Sequence, residues 1–192
     1  IIKKTKDQIS ICVINNDKKT HLTAPHILVA IGVKGFTDGL GLDKIGVNTR
    51  SNSILIDEYC ETNVKGIYAI GDVTTSPCLA HKASHQGIIV AEKISGKEIK
   101  NFLKEEDIPG CTYSNPQIAS IGLTEKRAIE LGYDLNIGNF PFIANGKALA
   151  LGEEEGFIKT IFDKKTGELL GAHMVGAEVT ELISTYIIGK GL

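Results

Sequence analysis

The stretch Gly66–Gly87, GIYAIGDVTTSPCLAHKASHQG, constrains the chain more than any other. Ile67-Tyr68-Ala69-Ile70 is a short apolar run rich in β-formers, which predicts a buried strand. Gly71 and Asp72 end it. Glycine permits close backbone approach or an unusual φ. An aspartate at the carboxyl end of a strand stands where open α/β sheets bind ligands. A loop through Ser76-Pro77 follows, and the spacing of Ala80, Ala83, Gly87, Ala91 and Ile94 predicts a helix from Leu79 to Ile94. The N–H groups of Leu79, Ala80 and His81 then lack helical partners, and with the positive end of the helix dipole they suit an electron-rich ligand edge. An ionised Asp72 can accept from a hydroxyl donor. Taken alone, Gly-Asp after a strand also fits an ordinary turn or cap.

The combination is more specific. Tyr68-Ala69-Ile70-Gly71-Asp72 followed by Leu79-Ala80-His81-Lys82-Ala83 resembles the second flavin-binding motif of the pyridine nucleotide–disulfide oxidoreductases. The Leu-Ala-His-Lys-Ala ending narrows the resemblance to the dihydrolipoamide dehydrogenase branch. It continues from Ile27 to Ile183. It implies that Asp72, preceded by Gly71, accepts from a ribityl hydroxyl of FAD. It also implies that Leu79, Ala80 and His81 face the pyrimidine side of the isoalloxazine ring, with Cys78 where methionine is usual. Gly32 follows the apolar run Ile27–Ile31, which the resemblance makes the last strand of an NAD-binding domain, and the glycine would lie against the dinucleotide. An ordinary strand-to-loop glycine is an equal reading there. The usual Arg-x-Pro after it is replaced by Val33-Lys34-Gly35.

The rest of the chain agrees with a mixed fold. Ile9–Ile14 and Ile27–Ile31 read as strands joined across the polar turn Asn15–Lys19, which leaves Thr20 and His21 in the turn region. Ile54–Asp57 is a further strand candidate. Gly96 closes the helix before it, and the charged segment Lys97–Asp107 reads as a surface connection. Beyond it, Cys111–Ile121 is strand-like with a break at Ser114-Asn115-Pro116. Thr124 can cap a helix from Glu125 to Leu131, stopped by Gly132. Leu135–Phe142, Phe157–Phe162 and Leu169–Val175 read as strands. Glu178–Lys190 reads as a helix with Val179, Leu182, Ile183, Tyr186 and Ile187 on one face.

This second part resembles the family's interface domain. The matching residues are Tyr113, Pro116 and Ala119, then Phe140-Pro141-Phe142 with Ala144-Asn145, Gly156-Phe157, Gly171 with His173 and Gly176, and Glu181-Leu182-Ile183. Gln117, Gly146 and Ala177 depart from the family pattern. The expected fold class is therefore α/β followed by α+β. Residues 1–32 form the tail of an NAD-binding domain, residues 33–107 a central segment with an FAD half-site, and residues 108–192 an interface domain.

Composition sets limits on other functions. Net charge is −2 with both signs scattered, so no basic stripe marks a nucleic-acid surface. No apolar run reaches membrane-spanning length. The four cysteines, Cys12, Cys60, Cys78 and Cys111, are irregularly spaced and fit reduced thiols. Cys78, His81 and His85 have a spacing seen in metal sites, but no fourth ligand is near in sequence, so no metal is expected. His173 lacks an adjacent acid and reads as a packed structural histidine.

The family's redox cysteine pair, its two GxGxxG turns and its terminal His-Pro segment are not in these 192 residues. With Ile at position 1, the chain is expected to be a piece of a longer protein and to hold no catalytic residue of its own. The resemblance implies FAD-dependent oxidation of protein-bound dihydrolipoamide with NAD as acceptor, in the bacterial cytoplasm or the mitochondrial matrix. It also implies a homodimer that meets lipoyl domains and the E2 core of 2-oxoacid dehydrogenase complexes. Another disulfide reductase of the superfamily, or a non-catalytic interaction module, are the alternatives.

Overall fold

The computed structural model describes residues 3–99 and 102–190. Near the start, strand β2 (Ile9–Asn15) pairs antiparallel with β3 (Lys18–Ala24), and the short β1 (Lys3–Lys4) adds to the other side of β2. Asn16 and Asp17 make the two-residue turn with φ of 47° and 62°. Paired positive φ values match the twist of a hairpin, and Asn and Asp tolerate them. This corrects the expectation that Ile27–Ile31 is the partner of β2. Thr20 and His21 consequently lie in a strand. Ile27–Ile31 is not a strand here: Leu28 is 90% and Ile31 93% exposed. A strand is defined by a hydrogen-bonded neighbour, and the described residues supply none to this run.

The central part holds helix α1 (Leu42–Ile45) and the two-residue strands β4 (Thr49–Arg50) and β5 (Ser53–Ile54). Val47, Ile54 and Ala69 form its core, with Leu42, Ile56, Val64, Ile67 and Val73 against them. The strand expected over Ile54–Asp57 shrinks to β5. The one expected over Ile67–Ile70 is a single antiparallel bridge between Glu61 and Tyr68. Thr62 N–H donates to Ile67 O at 2.8 Å and Ala69 N–H to Cys60 O at 3.0 Å, so the apolar run is held by a loop rather than by a sheet. Helix α2 (Ala80–Ile94) follows, capped by Gly96 at φ 74°.

Residues 108–190 build an antiparallel sheet from β6 (Gly110–Thr112), β7 (Gln117–Gly122), β8 (Leu135–Pro141), β9 (Phe157–Asp163) and β10 (Leu169–Gly176). The spatial order is β6-β7-β10-β9-β8. Helix α3 (Glu125–Glu130) starts where expected, with the Thr124 hydroxyl accepting from Arg127 N–H at 3.2 Å. Helix α4 (Gly146–Leu151) is capped by Asn145, whose side-chain Oδ1 accepts from Ala148 N–H at 3.0 Å. Helix α5 (Val179–Lys190) buries Val179 and Ile183 against Ala119, Ile121, Ala172 and Met174. Tyr186 and Ile187 pack beside them. Leu182, expected on the same face, is 43% exposed. A second small core of Ala128, Ile161 and Leu170 holds α3 to the sheet.

The β9–β10 turn carries a pH signature. The Asp163 carboxylate accepts from Lys165 N–H at 3.1 Å and from the Thr166 hydroxyl at 2.9 Å. The backbone donor at Lys165 chiefly holds this carboxyl below its ordinary range, against the opposing effect of burial, and Thr166 adds to the lowering. A carboxyl whose pKa is lower folded than unfolded stabilises the fold above the unfolded value and loses that contribution as pH falls through the folded one. In the full-length protein, Asp163→Asn should therefore lower the melting temperature at pH ~7 and do so less at pH ~3, below the unfolded pKa of about 3.9. Equal losses at both pH values would contradict this role.

Candidate functional site

The site is built from one turn and the helix after it. Ile70 is extended at φ −136°, and Gly71 then swings to φ 73° to open a 3-10 turn, Gly71–Val73. Only glycine adopts that conformation without strain. Gly71 N–H donates to Gln86 Oε1 at 2.8 Å. Gly71 O accepts from Thr74 N–H at 3.0 Å and from the Thr74 hydroxyl at 2.7 Å. The turn thus presents Asp72 outward: the residue is exposed, and its carboxylate forms no ion pair among the described residues.

Leu79 is the N-cap of α2, extended at φ −137° and without a side-chain cap bond. The first backbone bond into the helix runs from Ala83 N–H to Leu79 O at 3.1 Å, so the amides before it have no partner in the helix. The first turn holds no acidic residue, which leaves the positive dipole end uncompensated. Ala80 and His81 are exposed, while Cys78 and Leu79 are half-buried. His81 Nε2 lies 2.9 Å from Pro109 O. A carbonyl only accepts, so this ring nitrogen carries the proton. The bond ties the start of α2 to the start of β6.

Gly71 and Asp72 therefore share one unit with Leu79, Ala80 and His81, joined through Gln86. Gly32 stands outside it: it is exposed, at φ 103°, with open space where a Cβ would sit. Gly35, three residues on, does reach the turn. A Cβ there would lie 2.3 Å from Asn52 O and 3.4 Å from Val73 Cα, so the backbone passes directly against the segment that carries Asp72.

Sequence reasoning also missed Lys82 and Gln86. It drew α2 from the spacing of the small or apolar residues Ala80, Ala83, Gly87, Ala91 and Ile94, and gave no role to the polar residues between them. The structure instead buries Lys82, Gln86 and Ile89, and leaves Ile94 68% exposed. Polar residues occupy the inner face because the turn offers them hydrogen-bonding groups. The one available signal was that Lys82 and Gln86 stand four apart, on the same side of a helix.

Two of the thiols, Cys60 and Cys111, are held in their protonated form. Burial pushes Cys60 up, the Asp57 charge adds to this and the Lys82 ammonium opposes it. Burial, with Glu181, does the same to Cys111. A raised thiol is a poor nucleophile. Among the described residues no three His, Cys, Asp or Glu side chains converge as a metal site. What remains is one free carboxylate beside a set of open amides, a donor and acceptor pair suited to a ligand with hydroxyl groups and an electron-rich edge.

Comparison with known proteins gives the family. Residues 1–87 match the pyridine nucleotide-disulphide oxidoreductase family, and residues 108–189 match the dimerisation domain of the same family. The chain belongs to the pyridine nucleotide-disulphide oxidoreductases. It is 52% identical to a dihydrolipoyl dehydrogenase of Rhizobium etli over all of this chain and 40% of the relative. It is 55% identical to that of Zymomonas mobilis over 87% of this chain and 36% of the relative. It is 42% identical to that of Bacillus subtilis over 98% of this chain and 40% of the relative. The chain thus spans about 40% of the length of the curated relatives it matches. Among solved structures, LpdA of Mycobacterium tuberculosis superposes with a TM-score of 0.85 at 26% identity, covering 94% of this chain and 39% of that one. RclA of Escherichia coli, a flavoprotein disulfide reductase, shares the fold with a TM-score of 0.77 at 24% identity, over 89% of this chain and 40% of that one.

Proposed function

We propose that this chain is part of an FAD-dependent dihydrolipoyl dehydrogenase that oxidises protein-bound dihydrolipoamide and passes the electrons to NAD. The observation that carries the reading is the pairing of an unengaged Asp72 with the open N-terminus of α2 on a single turn–helix unit. Support for the particular dithiol comes from relatives named dihydrolipoyl dehydrogenase at 42–55% identity.

The Asp72 carboxylate accepts from a hydroxyl of the ribityl chain, and Gly71 sets its direction. The amides of Leu79, Ala80 and His81 donate to the electron-rich pyrimidine edge of the ring, where charge builds on reduction. Cys78 lines the approach beside them. When bound, FAD supplies the two-electron relay between dithiol and nicotinamide. Gly32 lies toward the nicotinamide nucleotide, in a domain tail of residues 1–32. Residues 33–107 form the central segment and residues 108–192 the interface domain, through which two copies form a homodimer. The four cysteines include no pair separated by four residues, so the dithiol exchange uses residues of the longer enzyme. Its partners are lipoyl domains and the E2 core of a 2-oxoacid dehydrogenase complex, in the cytoplasm or mitochondrial matrix. No helix among the described residues is long and apolar enough to cross a membrane.

The full-length protein should purify yellow with stoichiometric FAD and form NADH from NAD and dihydrolipoamide. A colourless protein would overturn the flavin site. A yellow protein that acts only on another disulfide with NADPH would keep the site and overturn the substrate.

A further inference from the structure

We propose that Lys82 and Gln86 are positioning residues that grip the Gly71 peptide from both sides, and that the Lys82 ammonium helps set the reduction potential of the flavin; the inference rests on the FAD reading above. Both side chains are buried, Lys82 at 4% exposure and Gln86 at 6%. They lie one helical turn apart on the inner face of α2. Gln86 Oε1 takes the Gly71 N–H at 2.8 Å. On the other side of the same residue, the Thr74 hydroxyl gives its single proton to Gly71 O at 2.7 Å. Thr74 Oγ1 can therefore only accept from Lys82 Nζ, which lies 3.2 Å away and also donates to the carbonyl of Thr75. The direction of the chain is fixed: Lys82 to Thr74 to Gly71 O, and Gly71 N to Gln86.

Apolar contact alone would hold the turn loosely. A Cβ on Gly71 would meet only the Ala83 methyl, at 3.4 Å, and one on Gly87 only Ile70 Cδ1, at 3.7 Å. The polar clamp makes Asp72 and the start of α2 a single body, so the carboxylate and the open amides keep their spacing when the ligand arrives. Hydrogen bonds from behind, made to the groups that would touch a cofactor, keep those groups in place.

Charge is the second consequence. Lys82 forms no ion pair among the described residues. Asp57, the acid that shares the surroundings of Cys60 with it, already accepts from the N–H groups of Tyr59 at 2.9 Å and Glu61 at 2.8 Å. Asp57 therefore offsets this charge only from a distance, and a buried cation with no carboxylate in contact acts over a longer range than one in water. With FAD held as proposed, reduction would add negative charge at the ring edge that the α2 amides would face, and the ammonium would favour the reduced form.

The test uses the full-length flavoprotein. Wild type, Lys82→Met and Gln86→Glu are compared for FAD content, melting temperature and the midpoint potential of bound flavin. Lys82→Met should lower the affinity for reduced relative to oxidised FAD about tenfold, which is about 30 mV for two electrons. Gln86→Glu keeps an acceptor for Gly71 N–H but places a carboxylate one turn from Lys82. It should lower the potential in the same direction with FAD retained, and Lys82→Gln, neutral but still a donor, stands in for Lys82→Met if that variant does not fold. A purely structural role would lower FAD content and melting temperature and leave the potential of the flavin still bound unchanged. That result in both variants overturns the inference while the flavin site stands. A wild-type protein without flavin overturns both.

Discussion

Gly122→Ala should destabilise the interface part of the protein by about 3–5 kcal/mol, through backbone overlap on top of left-handed strain. Gly122 ends β7 at φ 77°, and an added Cβ would lie 2.2 Å from Leu170 O and 2.8 Å from Gly171 Cα. Leu170 O is the acceptor for Leu123 N–H at 2.8 Å, so moving it away breaks the bond that carries the chain from β7 towards α3. The partner strand cannot yield either, because a Cβ on Gly171 would lie 2.2 Å from Leu123 O. Gly122 and Gly171 face each other in the β7–β10 pair, and two backbones cross there in the space side chains would fill. Gly132→Ala is the control. Gly132 has a similar φ of 85° but open space around it, so only the strain remains, about 1–2 kcal/mol. Urea unfolding of the full-length protein should rank the two variants clearly. Equal losses would mean that the strands part without cost.

Asp72→Ala should weaken FAD binding about 10- to 100-fold, the loss expected when a hydrogen bond to a charged group worth about 1.5–3 kcal/mol is removed. Stability should hardly change, since Asp72 is exposed and makes no ion pair among the described residues. The potential of the flavin should move little, because the partner proposed for Asp72 is a hydroxyl of the ribityl chain and not of the ring. Asp72→Asn keeps one acceptor oxygen without the charge and should fall between. Quenching of flavin fluorescence on titrating the apoprotein reads all three. Unchanged affinity in Asp72→Ala would remove Asp72 from the site.

Much of the fold after residue 108 was legible because its signals are local. Thr124 caps α3 as the spacing predicts, and β9, β10 and α5 follow their hydrophobic periods to within a residue or two. α4 was missed since Gly146 is a poor helix former and its Asn145 cap stands inside a run already read as family motif. The errors before residue 108 have a different origin. Ile27–Ile31 and Ile67–Ile70 have strand composition, but a strand needs a partner that composition cannot reveal, and among the described residues Ile67–Ile70 finds a loop and Ile27–Ile31 finds none. The polar strand β3 was passed over for the apolar run beyond it, although the Asn16-Asp17 turn fixes the hairpin.

The candidate site divides the same way. Gly71, Asp72 and the start of α2 were readable as a motif, and the structure groups them. Lys82 and Gln86 were not, because amphipathic patterning assigns polar residues to solvent, and only the geometry of the turn shows what draws these two inward. Gly35 was invisible for a related reason: what it approaches, Asn52 O, lies 17 residues further on, in the turn between β4 and β5.

The central claim is that Asp72 and the N-terminus of α2 together hold a flavin. The most direct measurement is a crystal structure of the full-length protein with FAD bound. It should place the Asp72 carboxylate within hydrogen-bond distance of a ribityl hydroxyl, and the amides of Leu79, Ala80 and His81 against the pyrimidine edge of the ring. A flavin bound with Asp72 still facing solvent and those amides unmet would contradict the account.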